Sequence, residues 1–224
     1  MNDYTSPSTT PNPQYFGVFF DWFRRQVHHL IAWGYQDALP RIQSVEIDET
    51  SITGFIAEAI QDRFRARDCP RWCSRYAIKD DPPVKTKGRS GRQRLRTDII
   101  IECSRTPGRP EYVFEGKRLK KKGFGASKYV GTEGMGCFID GRYASRYNEA
   151  AMLGYVQSDS VNHWQIRVRQ SIERNAKSLL LKPPQRDVRV IDAFPLEWVS
   201  EHERKGIARP ITIYHILLDC RPCG

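Results

Sequence analysis

Apolar residues recur along this chain with two different periods. From Tyr15 to Leu39 the residues Phe19, Trp22, Phe23, Val27, Leu30 and Ile31 keep a helical spacing, and Pro40 stops the run. Asp48-Glu49-Thr50-Ser51 then precedes a second helical stripe of Ile52, Phe55, Ile56, Ala59, Ile60 and Phe64, closed at Cys69-Pro70, with acids at the favourable N-terminal end. Short apolar runs follow. Arg75 to Ile78 predicts a first strand, Asp80 to Pro83 a turn, and Leu95 to Cys103 a second strand. Ser104 to Pro110 predicts a turn into an antiparallel return strand over Tyr112 to Lys117. Lys128 to Ile139 reads as helical, Ala150 to Gln157 as a strand, Ile166 to Leu181 as a helix with Ile166, Val168 and Ile172 toward the core, and Ile211 to Asp219 as the last strand. Pro183-Pro184 is expected to end the last of these helices, Ile166 to Leu181.

The order of elements predicts an α/β domain with a mixed central β-sheet flanked by helices. Residues 1–14, rich in Ser, Thr, Pro and Asn, read as a disordered leader, and 15–224 as one domain with an N-terminal helical element over 15–39. Charged residues interrupt the apolar stretch after the leader, which excludes a spanning helix or signal core and predicts a cytoplasmic protein with no membrane partner.

Charge changes the picture. Among 224 residues the formal net charge is +10, with a pI near 9.4, which points to an anionic partner, nucleic acid ahead of a membrane surface. Two basic blocks stand out: Lys85 to Arg96, which includes Arg92, Arg94 and Arg96 and reads as a mobile loop, and Lys120-Lys121-Lys122. The first leads into the run Asp98-Ile99-Ile100-Ile101; the second follows Glu115-Gly116-Lys117 at the end of the return strand. Both are placed to hold a phosphate backbone, with DNA favoured over RNA.

Glu115 and Lys117 project from one face of their strand because side chains alternate. Asp98 and Glu115 on neighbouring strand ends, with the Gly116 carbonyl between Glu115 and Lys117, form an oxygen donor set for Mg²⁺ or Mn²⁺. Lys117 is then positioned to orient a water or stabilise phosphoryl charge. Glu49, at the start of the second helix, is placed to make a water-mediated metal contact or to hold Lys117.

Thr97-Asp98 followed by Glu115-Gly116-Lys117 resembles the PD-(D/E)xK nuclease superfamily, with Glu49-Thr50-Ser51-Ile52-Thr53 similar to the acidic start of its first core helix. The resemblance spans roughly Asp48 to Gln157 and departs from the motif at the proline, where Thr97 stands. It implies a restriction-endonuclease-like fold and a divalent-metal-dependent nuclease, with the acids as metal ligands and the lysine as catalytic. Tyr129 to Met135 and Ser200-Glu201-His202-Glu203-Arg204 are similar to segments of prokaryotic defence-type nucleases, which implies a DNA endonuclease of such a system. An activating protein partner or a homo-oligomer fits the lack of an obvious sequence-reading domain.

Two other readings stay open: a catalytically silent nucleic-acid-binding module of the same fold, and a basic scaffold stapled by zinc. For the latter, Cys69, Cys73, Cys220 and Cys223 supply two ligand pairs, although core thiols account for the cysteines as well, and Cys103 and Cys137 read as core residues. His28 and His29 diverge on their helix and read as part of a core-covering element; His215 reads as a core histidine, and His202 is placed in a charged segment able to meet phosphate.

Overall fold

The computed structural model describes residues 13–83, 95–106 and 108–222, with the side chains of 13–18 excepted. Helix α1 (Pro13–Ala38) begins two residues inside the expected leader, the rest of which lies outside the described residues. A 3₁₀ turn at Leu39–Arg41 ends it at Pro40. Helix α2 (Glu49–Arg65) starts where the acids predicted: Asp48 caps it, accepting from the Ser51 backbone N–H at 2.8 Å. The two helices meet closely at Gly34, where a Cβ would lie 2.5 Å from Ile60 Cγ1 and 2.7 Å from the Ile56 carbonyl oxygen.

Strands β1 (Tyr76–Asp80), β2 (Ile99–Cys103) and β3 (Glu111–Leu119) form an antiparallel meander. Strand β4 (Glu149–Val156) lies parallel to β3. Helix α5 (Val161–Arg174), capped by Ser160, leads to β5 (Leu181–Asp187), β6 (Trp198–Arg204) and β7 (Ile207–Asp219). The resulting seven-stranded mixed sheet has the order β1-β2-β3-β4-β7-β6-β5, with β3, β4 and β7 parallel in its centre.

Alternation along the central strands divides the core in two. Ile99, Ile101, Phe114, Leu153 and Ile216 face α1 and α2. Ile100, Val113, Met152, Val156 and Ile213 face the other layer, made by α5 and two short helices, α3 (Ala126–Val130) and α4 (Gly136–Ile139). The α1 layer is also tied by charge: Arg24 donates to both carboxylate oxygens of Glu149, at 2.8 and 2.6 Å. His28, fully buried, lies 3.0 Å from Glu197.

Three expectations are corrected. Lys128 to Ile139 is not one helix; α3 and α4 are separated by a turn at Gly131 to Met135, where Gly134 packs on the Tyr129 carbonyl. The third long helix is shifted to Val161–Arg174, and its inward stripe is Trp164, Val168 and Ile172, leaving Ile166 exposed. The residues after it are strand: Pro183 and Pro184 sit in β5, at the sheet edge where a missing N–H costs no ladder bond. With β6, this edge adds two strands that the apolar pattern does not announce. Among the described residues no helix is long and apolar enough to cross a membrane.

Candidate active site

The Ile99–Phe114 pairing of β2 with β3, extended by one residue, puts Asp98 opposite Glu115, and cross-strand partners share a face. Asp98 Oδ2 accepts the Gly116 backbone N–H at 2.6 Å, which fixes the carboxylate against β3. Thr97 is buried and donates its hydroxyl to the Phe114 carbonyl at 3.2 Å. The hydroxyl therefore ties the start of β2 to its neighbour.

Lys117 is the hub. Its Nζ donates to Glu49 Oε1 at 2.7 Å, to Glu115 Oε1 at 2.9 Å and to the Gly116 carbonyl at 2.7 Å. Glu49 also accepts the Arg118 backbone N–H at 3.0 Å through its other oxygen. The N-terminus of α2 is thus clamped to the end of β3, and Glu49 holds Lys117. Glu115 Oε2 is buried without a hydrogen-bond partner.

The electrostatics follow from this crowding. Burial, aided by the charges of Glu49 and Asp81, pushes the Asp98 carboxyl up to about 6 despite Lys117 and the Gly116 N–H. Burial first, and the Asp98 charge second, push Glu115 up to about 8. Burial alone would lower Lys117, but the carboxylates of Glu115, Glu49 and Asp98 together raise it. Lys117 is therefore a fixed cation and hydrogen-bond donor at physiological pH, unsuited to act as a base.

Among the described residues no three His, Cys, Asp or Glu side chains are grouped as a ready metal cage. The donors around Lys117 nevertheless fit a hard cation by chemistry: the carboxylates of Asp98 and Glu115, the latter with its buried Oε2 unpartnered, and the Gly116 carbonyl. Magnesium or manganese suits such a set; zinc prefers nitrogen and sulfur.

Several residues were not legible as members of the site. A Cβ on Gly116 would lie 2.7 Å from Tyr155 Cε2 and 2.8 Å from its hydroxyl, so the middle residue of Glu-Gly-Lys packs under a tyrosine ring. The Tyr155 hydroxyl is 2.8 Å from Thr53 Oγ1 on α2. Tyr143 donates to the Arg96 carbonyl, and the Glu115 and Asp98 charges, after burial, raise its pKa. Neither Tyr155 nor Tyr143 left a signal in the local pattern.

The basic residues separate. Arg92 and Arg94 lie outside the described residues. Arg96 is paired with Asp81 at 2.6 Å, Lys120 with Glu46, and Lys121 with Asp159 at 3.3 Å. Lys122 has no ion-pair partner among the described residues. His202 is corrected: it is fully buried, its Nδ1 2.8 Å from the Leu179 carbonyl, and cannot meet phosphate. His215 is a core histidine as expected.

The described cysteines are all free thiols. Cys73, Cys103, Cys137 and Cys220 are buried, Cys69 is partly exposed, and Cys223 lies outside the described residues. Burial, then the neighbouring Cys69, pushes the Cys73 thiol up to about 12, the opposite of what a thiolate ligand needs in the free protein. No protein-family model, no curated protein and no solved structure matches this chain.

Proposed function

We propose that the chain is a divalent-metal-dependent nuclease of the PD-(D/E)xK type that hydrolyses phosphodiester bonds, with DNA as its substrate and an endonuclease's mode of cutting. The observation that carries the reading is the convergence on Lys117 Nζ of Glu49 from a helix and of Glu115 and Gly116 from a strand, with Asp98 set against the same strand segment. The helix-flanked mixed sheet accords with a restriction-endonuclease-like fold. The likeness of Tyr129 to Met135 and Ser200 to Arg204 to defence-type nucleases adds a prokaryotic defence setting to the proposal.

Asp98, Glu115 and the Gly116 carbonyl would hold Mg²⁺ or Mn²⁺. When bound, such an ion activates water and neutralises charge developing on a phosphate. The chain's own contribution is positional. Lys117 offers a permanently protonated amine to an anionic oxygen, and Glu49 keeps it aimed while Glu115 is engaged elsewhere. Asp98, locked by the Gly116 N–H, keeps the peptide between Glu115 and Lys117 from turning.

The test is cleavage of supercoiled plasmid and of single-stranded RNA with magnesium, with manganese and with chelator. Wild type should nick or linearise plasmid only with metal, and Asp98→Asn and Lys117→Met should each lower the rate by at least about a hundredfold. Equal activity of wild type and both variants would remove these residues from the chemistry. Metal-independent binding without cleavage of any substrate would favour a silent binding module.

A further inference from the structure

Beside the candidate active site, on the same face of the sheet as Leu119 and Trp164, lies a recess of about 510 Å³. It is lined by Lys120, Lys121 and Lys122 from the turn after β3, and by His163, Trp164 and Arg167 from the first turns of α5. It opens at the carboxyl ends of the parallel strands β3 and β4, where open α/β sheets present their ligands. Lys120 is three residues beyond Lys117, about 10 Å along the strand direction.

The charges are not equivalent. Glu46 and Asp159 neutralise Lys120 and Lys121. Lys122 and Arg167 have no ion-pair partner among the described residues, and both are exposed, so the net positive charge of the recess comes from these two. Apolar surface adjoins it in the chain. Phe124 and Ile166, the two large hydrophobic side chains exposed among the described residues, do not line the recess themselves but are sequence neighbours of residues that do, Phe124 between Gly123 and Gly125 and Ile166 before Arg167. The Arg118 guanidinium lies 4.2 Å from the centre of the Phe124 ring. One face of the ring is thereby supported while the side chain stays 38 % exposed. A duplex offers phosphates and buried bases; only an unpaired strand offers phosphates together with a free base face for an aromatic ring.

We infer that this recess binds a single, unpaired nucleic-acid strand, with Lys122 and Arg167 on its phosphates and a base stacked on Phe124. That the strand leads to the Asp98–Glu115–Lys117 site rests on the nuclease reading; that it binds here does not. Fluorescence anisotropy tests it, with the full chain in EDTA and two labelled probes, a thymidine oligonucleotide and a hairpin duplex. A Lys122→Gln, Arg167→Gln double variant, which keeps side-chain bulk, should bind the oligonucleotide about tenfold more weakly and lower the log–log salt slope by about 1.4. Phe124→Ala should weaken oligonucleotide binding about tenfold while changing duplex binding less than about twofold. Unchanged thermal midpoints establish that these surface variants fold. A salt slope unaffected by the double variant overturns the recess as a phosphate site. Equal loss on both probes for Phe124→Ala overturns the unpaired strand as its occupant. Because binding is read without metal, a chain that binds as described but cleaves nothing loses the nuclease reading and keeps the recess. A chain that cleaves while both variants bind like wild type loses the recess alone.

Discussion

At the scale of single residues, the candidate site stores unfavourable electrostatics. Asp98 and Glu115 have folded-state pKa values, about 6 and about 8, above the ordinary 3.8 and 4.5 of an unfolded chain. The folded state therefore binds protons that the unfolded state releases. Their contribution to stability is fully present below about pH 4 and is lost as pH rises through 6 and then 8. In EDTA, the thermal midpoint of Glu115→Gln should overtake that of wild type progressively between pH 5 and 9, and magnesium should close the gap by binding only the folded wild type. A midpoint difference independent of pH would contradict the placement of Glu115. Gly116 makes a different demand, since its Cβ position is filled by Tyr155. Gly116→Ala should cost roughly 1–3 kcal/mol by urea titration and should also slow cleavage, because the displaced peptide carries both Glu115 and Lys117. The Asp98 and Glu-Gly-Lys pattern was legible from residue type and spacing alone. The need for glycine was not, because Tyr155 comes from another strand.

At the scale of elements, β6 shows how a strand escapes a hydrophobicity pattern. Ser200 and His202 point inward and are fully buried, as is His215 on the neighbouring β7. They are satisfied by one chain of hydrogen bonds. His202 Nδ1–H donates to the Leu179 carbonyl, which leaves its Nε2 to accept from Ser200 at 2.7 Å. Ser200 Oγ then accepts from His215 Nε2–H at 2.7 Å, and His215 Nδ1 accepts from the Tyr129 hydroxyl at 3.0 Å. Every tautomer follows from the carbonyl at one end, and Trp198 stacks on the His215 ring at 4.7 Å. Ser200→Ala breaks the chain in its middle and should cost about 1–3 kcal/mol in urea unfolding. Burial lowers the His202 pKa to about 4 and holds His215 well below its usual value. Each contributes stability above pH 6.5 that is lost as pH falls toward and through its folded value. The element also explains the reading of Ser200 to Arg204 as a charged segment: Glu201 and Glu203 face outward, while Ser200 and His202 alternate inward and are satisfied by partners 15 and 23 residues away.

At the scale of the molecule, the sheet separates the helix that supplies Glu49 from the layer that holds the basic recess, and the end of β3 is where they meet. Gly34 governs how closely α1 and α2 pack on one side. Gly34→Ala should lower global stability by about 1–3 kcal/mol, with a Glu49-mediated loss of activity following only if α2 shifts at its N-terminus. Comparing the thermal midpoint with the cleavage rate of the folded variant separates the two effects.

The sequence by itself determined the helical stripes of α1 and α2, the strands β1 to β4 and β7, the antiparallel return of β3 on β2, and the placing of Asp98, Glu115 and Lys117 on neighbouring strand ends. These depend on periodicity and spacing over a few residues, which local geometry translates directly into faces and turns. Only the tertiary structure decided that Glu49 reaches across 68 residues to grip Lys117, that prolines and charges build the β5–β6 edge, and that Tyr155 roofs Gly116. Those outcomes depend on which distant groups bury or satisfy one another. A buried polar side chain with a partner far along the chain has the same local pattern as an exposed one, and the fold alone brings that partner into contact.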